Sequence, residues 1–85
     1  MRLEIERGSG QSKLLVISDD GEILRALLPP DEKAEFQYLG LEAGIQDLNG
    51  KPVVIVTYHE PNANVDWKFT LDPDTFYLKK IGQWR

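Results

Sequence analysis

The sequence predicts an all-β or β-rich α+β domain, an antiparallel meander of six or seven strands forming a curved sheet, roll or half-barrel. Three observations carry this. Several segments alternate apolar and polar residues with the period of two that a half-buried strand requires. Two turn dipeptides, Asp20-Gly21 and Asn49-Gly50, each stand between apolar runs. The remaining connections are short, which favours pairing between neighbouring strands.

Leu3 and Ile5 alternate with Arg2, Glu4 and Glu6, giving a first strand with one wet face. Gly8 to Ser12 is a small, polar hairpin loop. Lys13–Ser18 and Glu22–Leu28 flank Asp19-Asp20-Gly21 and form the second and third strands. Pro29-Pro30 stops the ladder because proline offers no N–H, and Asp31 to Ala34 suits a corner or one short helix near 30–35, with Asp31 as cap.

Phe36 to Leu48 reads as one long strand broken at Gly40 and Gly44. Asn49-Gly50 turns the chain, and Pro52–Thr57 returns as the most β-branched strand, the expected centre of the sheet. Val65, Trp67, Phe69 and Leu71 then alternate with Asp66, Lys68 and Thr70, which places Trp67 and Phe69 in the core. Asp72-Pro73-Asp74-Thr75 is a tight turn, and Phe76–Ile81 is a last strand whose Lys79 and Lys80 suit an exposed edge.

The 85 residues suffice for one domain, 1–85, with one core. Fourteen acidic against ten basic residues give a net charge of −4, the wrong sign for a nucleic-acid partner. The absence of cysteine excludes disulfides, thiolate nucleophiles and cysteine-bound metal. No segment approaches the roughly 20 apolar residues of a membrane helix. The alternating start is not a secretory signal, so the chain as written is expected in the cytoplasm, or in the periplasm or outside the cell if it is a mature domain behind a starter methionine.

Tyr38-Leu39-Gly40-Leu41-Glu42, Leu48-Asn49-Gly50-Lys51-Pro52 with the strand that follows, and Leu71-Asp72-Pro73-Asp74-Thr75-Phe76-Tyr77-Leu78 together cover much of residues 36–81. This region resembles the strand pairs of the periplasmic lipoprotein-carrier (outer-membrane lipoprotein-sorting) family. The resemblance implies part of a half-barrel whose concave face holds acyl chains.

Visible catalytic machinery is lacking. His59-Glu60 matches the start of a zinc-protease motif, but Ala63 stands where the second histidine belongs. Asp72 and Asp74 read as turn-capping carboxylates, since a calcium loop needs more oxygens at fixed spacing. Gly8 to Lys13 lacks the order of a phosphate loop, and Ser9, Ser12 and Ser18 have no nearby His–Asp pair to activate them. No cofactor, metal or catalytic residue is expected.

The expected function is a non-catalytic binding module that contacts a protein, a second copy or an apolar or lipid ligand through one face or edge of the sheet. Tyr77 and Lys79 on the last strand and Trp84 just beyond it are the candidate contact residues. The alternative is an acidic inhibitor or immunity-type protein that blocks a basic partner, because Asp31 to Glu60 holds six acidic residues against Lys33 and Lys51. Glu35, Glu42 and Asp47 are the candidates for that role.

Overall fold

A computed structural model describes residues 1–8 and 10–84. Ser9, considered above as a nucleophile, and Arg85 lie outside the described residues. Seven strands run in chain order: β1 (Arg2–Glu6), β2 (Lys13–Ile17), β3 (Ile23–Leu27), β4 (Ala34–Leu39), β5 (Val53–His59), β6 (Asn64–Leu71) and β7 (Leu78–Gln83). All described pairing between them is antiparallel and between sequence neighbours.

The meander is divided. β1-β2-β3 form one sheet and β4-β5-β6-β7 another, and no closed barrel results. The break falls at Pro29-Pro30, where the loss of an N–H at two successive residues ends the ladder. The corner expected at Asp31 is a turn, not a helix: Ala34 N–H donates to the Asp31 carbonyl and Lys33 N–H to its carboxylate, at 3.0 and 2.9 Å.

The two expected hairpins form, each with its own turn. Asn49 and Gly50 both take positive φ, 52° and 75°, as a type I′ turn requires. The Asp19-Asp20-Gly21 loop instead closes with Gly21 alone at φ 87°, its N–H on the Ser18 carbonyl. That is the three-residue hairpin loop with a left-handed glycine at its end.

The stretch expected as one broken strand from Phe36 to Leu48 is corrected. β4 stops at Leu39, and Gly40–Ala43 coil into a 3-10 helix that ends at the left-handed Gly44. Gly44 N–H caps the turn on the Leu41 carbonyl and Ile45 N–H reaches the Gly40 carbonyl. The last strand also begins later than expected, at Leu78, because Asp72 to Tyr77 form a wider turn in which Phe76 takes φ 60°.

The two sheets share one core of Leu14, Val16, Ala34, Phe36, Val54, Val56, Phe69 and Leu71. β5 lies between β4 and β6, and Val53 to Thr57 are buried on both faces. On its second face Thr57 donates to the Asp66 carboxylate at 2.7 Å. Burying this aliphatic run stabilises the fold at about 25 cal/mol per Å² of apolar surface removed from water.

β1 lies alongside β4 without a main-chain ladder, and side chains bridge the seam. Arg7 donates to the carbonyls of Phe36 and Gln37. The buried Ser12 hydroxyl accepts the Phe36 N–H at 2.8 Å. The Ser12 bond satisfies a buried N–H of β4 that would otherwise be orphaned beside the core, while the Arg7 bonds lie nearer to solvent. The outer strands are therefore β3 and β7. β3 presents Ile23 and Leu24 to solvent, with Leu28 exposed just beyond it, whereas β7 presents Lys79, Lys80 and Ile81.

Candidate functional site

The seam opens at one end into a cleft of about 290 Å³. Its apolar lining comes from Leu3 of β1, Leu39 of β4, Leu41 of the 3-10 helix, and Pro52 and Val53 at the start of β5. The charged groups that line it are the Met1 terminal ammonium and Arg2 on one side and Glu42 and Asp47 on the other. Local chain geometry explains the shape. Gly40 packs so closely on Val53 that the 3-10 turn folds over the start of β5, and this lifts Leu41 out into solvent, where it is 72% exposed.

Both cationic groups of the cleft already have a carboxylate partner: the Met1 ammonium meets Asp19 at 2.7 Å and Arg2 meets Glu4 at 3.3 Å, whereas Glu42 and Asp47 border its opposite side. The Glu42 carboxylate accepts the Leu39 N–H at 3.3 Å, which fixes its position at the rim without neutralising it. Asp47 stands on the loop before the Asn49-Gly50 turn and is exposed.

A second hollow, shallower, lies next to the first and is lined by Tyr38, Glu42, Ala43 and Trp84. Tyr38 and Trp84 meet edge to face with ring centroids 6.2 Å apart, and Trp84 N–H donates to the Asp66 carbonyl at 2.9 Å. Glu42 borders both hollows. Trp84, Glu42 and Asp47, chosen from the sequence for different reasons, thus fall along one continuous surface.

The other three candidates lie apart from it. Tyr77 is 68% exposed in the turn before β7, and Lys79 is exposed on β7 opposite Thr70. Glu35 sits near the other end of β4, with its carboxylate 3.5 Å from His59 Nε2. Trp84 lies just beyond β7, as expected, and is half-buried with its ring against Tyr38. Sequence reasoning missed Arg2, Tyr38 and Leu41. The signal available for the latter two was Gly44, which follows Leu41-Glu42-Ala43 as a left-handed stop follows a helical turn.

Among the described residues no three His, Asp or Glu side chains stand close enough to hold one metal ion. His59 is engaged by Asn64, its Nδ1 3.1 Å from the amide oxygen, and by Glu35. Among the described residues no helix is long and apolar enough to cross a membrane. No family model matches the chain, and neither does any curated protein or solved structure.

Proposed function

We propose that the chain is a non-catalytic binding module whose partner is a protein segment presenting an apolar side chain beside basic ones. The observation that supports this reading is the seam cleft, apolar within and bordered by Glu42 and Asp47. Its volume of about 290 Å³ lies at the low end of the range for small-molecule sites. That size suits one or two side chains of a partner better than a whole ligand.

The acidic rim favours a basic partner in the manner of an inhibitor, through steering and register more than raw affinity. An acyl ligand, which the lipoprotein-carrier resemblance implies, has less room. The inward faces of both sheets are filled by side chains such as Phe36, Val54 and Phe69.

The test is a titration followed by backbone amide shifts, using the capped peptides Lys-Leu-Leu-Lys and Glu-Leu-Leu-Glu, and lauric acid. Shifts confined to Leu39–Glu42 and Val53 with the basic peptide, weakened by salt and by Glu42→Gln with Asp47→Asn, are expected. Equal response to both peptides, or saturable shifts with lauric acid alone, overturns the proposal.

A further inference from the structure

Away from the seam, Lys80 of β7 reaches across the inward face of the larger sheet. Its ammonium lies 4.4 Å from the ring centroid of Trp67, 4.9 Å from that of Tyr58 and 5.9 Å from that of Phe69. All three fall within the roughly 6 Å over which a cation is attracted to an aromatic face. Phe69 is buried and directly opposite Lys80 in the ladder, while Trp67 and Tyr58 are half-buried and reachable from solvent. Strand register builds this arrangement: Val54 and Val56 of β5 pair with Phe69 and Trp67 of β6, so the two rings stand two residues apart on one face. Asp31 adds negative charge nearby. Burial first, and the Asp31 carboxylate second, raise the Tyr58 hydroxyl pKa above its usual value.

We propose that Tyr58, Trp67 and Phe69 form a binding site for a small trimethylammonium compound, which Lys80 occupies from within and which such a ligand takes over by displacing it. A primary ammonium is strongly hydrated and gives up water reluctantly when it meets aromatic rings. A trimethylammonium group spreads its charge over methyl groups that contact the ring faces directly, and it is the group that aromatic cages recognise. Lys80 holds the place because it is tethered, at a high effective concentration, not because it is the better ligand. The open site is a minority state of the wild-type chain, so apparent affinity falls by the fraction that is open. Lys80 is exposed on an outer strand, so its side chain has solvent to move into when a ligand displaces it.

The chain has two tryptophans, so Trp84→Phe leaves Trp67 as the sole indole reporter. In that background, Trp67 fluorescence is followed against choline, against its neutral isostere 3,3-dimethylbutanol, and against sodium chloride of matched ionic strength. A saturable response to choline alone is expected, strengthened about tenfold or more by Lys80→Ala and by Lys80→Met, which keeps the stem but not the charge. Circular dichroism establishes that each variant is folded. Calorimetry on Trp67→Leu, in place of fluorescence, should show the choline heat lost. If choline and its neutral isostere give the same response, or if neither folded Lys80 variant binds choline more tightly, the proposal is wrong.

Discussion

A Cβ placed on Gly40 would lie 2.6 Å from the Val53 carbonyl oxygen and 2.9 Å from the Val53 Cβ. Both obstacles belong to the central strand, and neither is the loose end of a side chain. Gly40→Ala is therefore expected to lower stability by about 1–3 kcal/mol, the usual cost of forcing extra volume into a packed contact. Urea denaturation measures it. The same substitution at Gly8, which has nothing near the added Cβ, serves as the control and should change little.

Val54 is wholly buried at the centre of the shared core. Val54→Ala should cost about 2 kcal/mol from the lost methyl groups and the cavity they leave. Val54→Asp should leave the chain unfolded, since a buried, unpaired carboxylate costs several kcal/mol against a total of about 5–10. In the wild type, amide exchange at Val54 and Val56 should be among the slowest. Fast exchange at these two sites would mean that β5 is not the interior strand.

At the seam, Ser12→Ala removes the acceptor of the Phe36 N–H in a buried setting and is expected to cost about 1–3 kcal/mol. Arg7→Ala removes donors that are only partly shielded from water, and the freed carbonyls regain solvent, so its cost should be about 1 kcal/mol or less. Equal effects of the two substitutions in thermal melts would contradict this ranking.

The Asp72 carboxylate accepts the N–H groups of Asp74 and Thr75 at 2.8 and 3.1 Å, and Lys51 stands 3.7 Å away. These backbone bonds first, and the ammonium after them, hold its pKa below the usual carboxylate value. A carboxyl whose folded pKa is depressed contributes stability above its unfolded pKa and loses it as pH falls through the folded value. Asp72→Ala should thus be less stable than wild type at pH 7, with the gap closing below about pH 4. Paired urea titrations at pH 7 and pH 3 show whether it does.

Strands with a clear period, such as Leu3 to Ile5 and Val65 to Leu71, and turns fixed by a positive-φ requirement, such as Asn49-Gly50, were legible because each signal is local. The 3-10 turn at Gly40–Ala43 was not, since Gly40 serves two purposes that look alike in sequence: a bend in a strand, and close contact with a strand elsewhere. Of the candidate surface, Glu42 and Asp47 were visible as charges, but their meeting with Leu3 and Arg2 depends on which strands neighbour one another across the seam. The partner of Trp84 is Tyr38, far away in the chain, and no local pattern reports it. The exposure of β3 was equally hidden. Glu22 to Leu28 has no period that assigns a face, and a bulge at Leu24, between the pairs Val16–Arg25 and Ile17–Ile23, offsets the register there.

Because the two sheets are joined at β1 and β4 by side chains and not by a ladder, the covalent link at Pro29-Pro30 has little architectural work to do. Residues 1–29 carry one complete sheet and residues 30–85 the other, and each sheet leaves half of a shared interior bare without its counterpart. A chain cut at that link is therefore expected to give two fragments that do not fold alone and that reassemble on mixing, registered across the seam by the Ser12 hydroxyl and the Arg7 guanidinium.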